Sequence, residues 1–154
     1  MTSIIRQVET KDISSLKNVI DTSELFPSEY LDDMIHPYLS DEQTEEIWLT
    51  QEVNGLAVSV AYCAPEKFTE GTYNLYLIAV HANHQGEGLG AELIAYLENL
   101  LRQQGQRVLI VETSGLDEFE RTRRFYDQCR YEREAVIRDF YKEGEDKVVF
   151  WKKL

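Results

Sequence analysis

The stretch AVHANHQGEGLGAELIAYLENLL, residues 79–101, decides how this chain is read. An apolar run leads into it, and glycines stand at alternate positions 86, 88 and 90. Leu89, Leu93, Ile94, Leu97, Leu100 and Leu101 then recur at helical spacing. They predict an amphipathic helix over about 88–104 that Gly105 terminates. Such a turn suits an anion. The first N–H groups of a helix have no intrahelical partner, the helix dipole is positive there, and missing side chains let oxygen atoms approach. A phosphate loop of the Walker type would need Gly-Lys followed by Ser or Thr, which is absent.

On the upstream side, TYNLYLIAVH (72–81) predicts a strand whose second half, apolar at consecutive positions, reads as buried on both faces. On the downstream side, RVLIVET (107–113) predicts another buried strand. Strand, helix and strand make a β-α-β unit and hence a parallel pair with a right-handed crossover.

Further out, residues 3–8 read as a short strand. Asp12 is placed to cap a helix over about 13–22 that carries Ile13, Leu16, Val19 and Ile20 on one side. Pro27 opens a second helical segment, PSEYLDDMIHPYL, expected to break at Pro37. Two apolar runs around Asn54-Gly55 signal a tight hairpin. DEFERTRRFYDQC (117–129) reads as a shorter helix, and the last segments as a hairpin around Gly144. The order is β-α-α-β-β-β-α-β-α-β-β, one mixed α/β domain over 1–154. A dinucleotide-binding fold would place its glycine turn early, whereas here at least three antiparallel-looking strands precede it.

Composition excludes several classes. The net charge is −12, and residues 1–101 hold 4 Lys/Arg against 17 Asp/Glu. A nucleic-acid partner needs a basic face, so that class is disfavoured. No apolar run reaches the roughly 20 residues that span a bilayer. The start, MTSIIRQVETKD, lacks a signal-peptide pattern, so a cytoplasmic location is expected. Cys63 and Cys129 read as free thiols, and three scattered histidines give no metal constellation.

The segment IAVHANHQGEGLGAELI resembles the acetyl-CoA-binding motif of the GNAT N-acetyltransferase superfamily, Arg/Gln-x-x-Gly-x-Gly/Ala. In this chain it stands as Gln85-Gly86-Glu87-Gly88-Leu89-Gly90. The flanking strands, the strand ending in Glu112 and the Phe125-Tyr126 pair match in order, over nearly the whole chain. The resemblance implies a central mixed sheet of about six or seven strands with about four helices. It implies that backbone groups of Ile78, Ala79 and Val80 pair with the pantetheine arm of acetyl-CoA. N–H groups of Gly86, Glu87, Gly88, Leu89, Gly90 and Ala91 would hold the pyrophosphate, with Gln85 helping. No metal is implied.

By the same resemblance Tyr126 supplies a proton to the departing thiolate, a task a phenol with a pKa near about 10 can perform at neutral pH. Glu112 is the first candidate to take the proton from the amine; a salt-bridged strand-end carboxylate is the plain alternative. His81, His84 and His36 are weaker candidates. Two positions depart from the family: Phe119 stands where many relatives have Asn, and Arg130 where a Gly makes a left-handed turn. Arg121, Arg123 and Arg124 could reach a cofactor phosphate or form a solvated helix face.

The acceptor is expected to be an amine of a small molecule or peptide. Glu24, Glu29, Asp32 and Asp33, near Phe26, Tyr30 and Tyr38, suit a cationic one. The rival expectation is a non-catalytic acyl-CoA-binding module that regulates a partner. A homodimer is compatible with the family, though no stretch of sequence specifies one.

Overall fold

A computed structural model describes residues 3–154. The strands are β1 (Ile4–Gln7), β2 (Ile47–Val53), β3 (Leu56–Ala57), β4 (Ser59–Pro65), β5 (Thr72–Val80), β6 (Val108–Ser114), β7 (Glu132–Lys142) and β8 (Glu145–Lys153). The helices are α1 (Ile13–Ser23), α2 (Leu31–Ser40), α3 (Leu89–Gln103) and α4 (Glu120–Gln128). One sheet runs β1-β2-β4-β5-β6-β8-β7, with β3 a short extension of the β2 hairpin. All neighbours are antiparallel except β5 and β6, which the α3 crossover makes parallel. No helix among the described residues is long and apolar enough to cross a membrane.

The expected elements are present, and the glycine signals act where they were read. Asn54 and Gly55, both at positive φ, close the β2 hairpin. Past α3, Gly105 is left-handed and the Gln106 N–H returns to the Leu101 carbonyl, which ends the helix. The stripe of α3 is buried at Leu89, Leu93, Ile94, Leu97 and Leu101. Each fully buried leucine contributes about 1.5–3 kcal/mol over leaving it in water.

Three local expectations are corrected. The Asp12 side chain does not cap α1, though it takes part in a capping box on the short turn Thr10–Asp12 before it. Its carboxylate accepts both Arg6 guanidinium nitrogens at 2.8 Å and the Glu9 N–H at 2.8 Å. A basic partner on β1 outcompetes the helix N–H groups, and it holds the Asp12 carboxyl below its ordinary pKa. Pro37 does not break α2 but lies within it. Both Pro37 and Asp33, whose carbonyl loses its intrahelical partner, are exposed, so water satisfies the freed group. The second half of β5 is not buried on both faces: buried and half-buried residues alternate from Leu77 to Val80, as they do along most of β6. The core beneath α1 and α2 includes no residue of β6, β7 or β8, so one face of that end of the sheet has no helix over it.

β5 carries the feature that shapes the site. Its register with β4 shifts by one residue, from Tyr62↔Leu77 to Cys63↔Leu75, leaving Tyr76 as the extra residue of a bulge. One added residue reverses which face each later side chain occupies. Tyr73 and Leu75 therefore join the core beneath α3, whereas Leu77 and Ala79 join the core beneath α1 and α2.

Candidate active site

β5 and β6 pair only from Thr72↔Val108 to Leu75↔Val111. Beyond the bulge they diverge around a cleft of about 900 Å³ lined by residues 75–80 of β5 and 111–113 of β6. Over Leu77–Val80, β5 is bonded to β4 on one side and faces the cleft on the other. An extended backbone with one free edge can pair with another extended chain. Ile78, Ala79 and Val80 all line the cleft.

The glycine turn closes one end of that cleft. Gly86 and Gly88 have φ of +82° and +83°, a conformation L side chains rarely adopt. Gly88 is the N-cap of α3, and no side chain caps the helix there, so its first N–H groups remain available. At Gly90 the constraint is crowding. A Cβ built on it would lie 3.3 Å from Phe125 Cε1 and Cζ on α4. Gln85 is turned back: its amide donates to the Val80 carbonyl at 3.1 Å, and the Ser23 hydroxyl donates to the same oxygen at 3.2 Å. Within the turn, His84 Nδ1 and Glu87 Oε1 are 3.2 Å apart.

Tyr126, on α4, lines the cleft while only 4% exposed. Its ring packs against Phe125, Tyr131 and Phe150, with centroids 5.2–5.9 Å away. Among the described residues its hydroxyl makes no hydrogen bond, and burial pushes its pKa well above the ordinary phenol value. The phenol is therefore a protonated donor with no partner among the described residues. Its placement is set by the end of α4. Arg130 takes φ +69° in place of the glycine of relatives, and the turn survives. Tyr131 N–H bonds to the Tyr126 carbonyl and Arg130 N–H to that of Asp127, both at 3.0 Å, the two bonds of a Schellman turn.

Glu112 lines the cleft but is engaged. Lys147 Nζ lies 2.6 Å from its Oε2, and Asn74 Nδ2 donates to its Oε1 at 3.0 Å. Neither Asn74 nor Lys147 was singled out from sequence. They come from β5 and β8, and only the sheet order β5-β6-β8 places them on either side of β6. His81 turns away from the cleft, accepting the Asn83 N–H at 3.1 Å, and His36 is exposed on α2. Glu24, Glu29, Asp32 and Asp33 are exposed outside the cleft, while Leu25 and Phe26 from that region reach it. Tyr38 turns inward, donating to the Val8 carbonyl at 2.8 Å.

Of the three arginines, Arg123 is buried and clamps the carbonyls of Ser114 and Leu116 at 2.7 and 2.9 Å. Arg121 and Arg124 border the cleft, as does Phe119. The cleft thus has a free strand edge, a helix N-terminus and basic side chains along one wall. A buried acid and a charged pair flank its middle.

The model of the acetyltransferase (GNAT) family matches residues 13–131. The chain belongs to this family. A GNAT-family protein from Desulfovibrio desulfuricans has a similar structure, with a TM-score of 0.93, 28% identity and 99% of each chain covered. An aminoglycoside 6'-N-acetyltransferase complexed with coenzyme A shares the fold at a TM-score of 0.77 and 15% identity, covering 97% of this chain and 96% of that one. The ribosomal-protein-S18-alanine N-acetyltransferase of Escherichia coli does so at 0.78 and 18%, covering 99% and 94%. No curated protein matches the sequence. In this GNAT domain the family match spans α1 through the turn after α4, and so contains every cleft residue named above.

Proposed function

We propose that the chain transfers the acetyl group of acetyl-CoA to a primary amine by direct attack within a ternary complex. One observation carries this: the free edge of β5 faces the partnerless Tyr126 hydroxyl across a cleft that the α3 N-terminus closes. The pantetheine arm, an extended chain with amides, pairs with Ile78–Val80. The pyrophosphate meets N–H groups between Gly86 and Ala91. These local donors outweigh the screened net charge of −12.

The amine nitrogen attacks the thioester carbonyl, a C–N bond forms and the C–S bond breaks. Tyr126 gives its proton to the leaving thiolate. Glu112 holds the incoming ammonium and receives its first proton, directly or through water, and the second proton that the nitrogen sheds as the amide forms restores the Tyr126 phenol. Burial favours the protonated phenol that this step consumes, which is support for the role.

Calorimetric titration with acetyl-CoA, followed by CoA-thiol release across a panel of amines, tests the reading. Binding with thiol release above background for one class of amine is expected. Binding without release for any amine would favour a non-catalytic acyl-CoA-binding module, and no binding at millimolar ligand would remove both.

A further inference from the structure

Glu112 follows Val111, which belongs to the core with Tyr126, so Glu112 lies on the opposite face of the sheet. There the buried Asn74, 2% exposed, bridges two carboxylates. Its Nδ2 donates to Glu112 Oε1 at 3.0 Å and to Glu66 Oε2 at 3.1 Å, and the Tyr76 hydroxyl reaches the same Glu66 oxygen at 3.3 Å. Among the described residues a single cation answers this pair. Lys147 Nζ lies 2.6 Å from Glu112 Oε2 and 3.9 Å from the centroid of the Phe140 ring.

We propose that the gap between Glu112 and Phe140 is an ammonium seat, filled by Lys147 until a linear primary alkylammonium acceptor displaces it. The proposal deepens the transferase reading and rests on it for the acceptor's role, whereas the seat itself stands on its geometry. A carboxylate on one side and an aromatic face on the other hold an ammonium by charge, hydrogen bond and ring quadrupole together. The lysine stem shows the shape admitted, an unbranched methylene chain.

Exchange is open to solvent, because the Glu112 side chain is 28% exposed and Phe140 51% exposed. Lys147 itself is only 11% exposed, so an incoming ammonium must replace the ion pair that the lysine gives up. The cluster also favours a second cation: two carboxylates share one counter-charge, and Glu66 accepts only from Asn74 and Tyr76 among the described residues. An amine beside a branched carbon fits this seat less well, and an anionic acceptor meets net negative charge.

The test vacates the seat with Lys147→Ala and, to suit the strand better, Lys147→Thr. Each variant is melted in ethylammonium chloride against sodium chloride of equal ionic strength. A saturable rise specific to ethylammonium is expected, about 3–5 °C near tenfold the Kd. It should be weaker in the unsubstituted protein, where Lys147 competes for the seat, and abolished when Glu112→Gln is added. Equal responses to the two salts, or the same response in the unsubstituted protein, would overturn the proposal.

Phe140→Leu, at an exposed position, provides a measurement independent of those variants. It should raise KM for hexylamine about 2–5-fold with kcat little changed, and an unchanged KM counts against the seat. If no amine supports thiol release while ethylammonium still stabilises the Lys147 variants, the transferase reading fails and the seat survives.

Discussion

The ring of Phe125 stands 3.3 Å from the place where a side chain on Gly90 would begin. Two helices that border the cleft, α3 and α4, thus touch through a position where even a methyl group must push a ring aside. Phe125 is also the neighbour of Tyr126, so what moves the one moves the other.

Gly90→Ala should therefore separate stability from turnover. Alanine within α3 is favoured over glycine by about 1 kcal/mol, which offsets the cost of pushing the Phe125 ring aside. The melting temperature should stay within a few degrees. The rate of thiol release should fall as Tyr126 is displaced, with acetyl-CoA affinity changed less. An unaltered kcat would show that the contact does not position Tyr126.

Tyr126→Phe removes the proposed acid and keeps the ring that fills the core. A loss in kcat of about 10²-fold or more is expected, with acetyl-CoA binding nearly intact by calorimetry. The unsubstituted enzyme adds a pH signature. The active form is the protonated phenol, and burial raises its pKa, so activity is retained below that value and lost as pH climbs through it. The alkaline limb of kcat should therefore lie above the ordinary phenol value of about 10. A limb at neutral pH that Tyr126→Phe leaves in place would exclude Tyr126 as its source.

Arg130 adopts a left-handed conformation that costs a residue with a Cβ roughly 1–2 kcal/mol, whereas glycine adopts it freely but is more disordered when unfolded. Arg130→Gly should stabilise the fold by about 0.5–1 kcal/mol, measured by urea denaturation, and leave KM for acetyl-CoA unchanged. A destabilised variant would mean that the arginine side chain makes an essential contact.

Gln51 is fully buried on β2, and among the described residues neither its amide nitrogen nor its carbonyl oxygen finds a partner. Replacing an unsatisfied amide by an apolar group of similar shape removes a desolvation penalty of about 1–3 kcal/mol. Gln51→Met should raise the melting temperature. A fall would indicate that a buried water satisfies the amide.

Asp12 predicts an acid limit. Its folded pKa is depressed, chiefly by the Arg6 hydrogen bonds, so the stability it adds is present above the unfolded value of about 3.9 and vanishes as pH falls through the folded one. Asp12→Ala should cost about 1.5–3 kcal/mol at pH 7 and progressively less below pH about 4. A constant difference across that range would contradict the linkage.

What the sequence revealed depended on how local the cause was. The helix over α3, the Asn54-Gly55 hairpin and the glycine turn are written in adjacent residues, and each was legible. The bulge at Tyr76 was not, because a register exists only between two strands, and β5 alone reads as an unbroken apolar run. Asp12 met an arginine from another element. Arg130 showed that a turn can outlast the loss of its glycine when two backbone hydrogen bonds hold it. At the site, the family motif pointed to the strand edge and the turn. The Asn74–Glu66–Lys147 group escaped notice because its members lie 8 to 81 positions apart and meet only through the sheet order.

The short parallel pairing of β5 with β6 has a mechanical consequence. Four residue pairs fasten the strands at Thr72–Leu75, and beyond them the two sides of the sheet share an axis but no rungs. Such a joint is a pivot, and any scissoring of the β1–β5 side against the β6–β8 side about it would have to work against the core beneath α3 that both sides supply. An extended ligand laid along Leu77–Val80 would stiffen the scissor at its open end, so that filling the cleft and rigidifying the protein become one event.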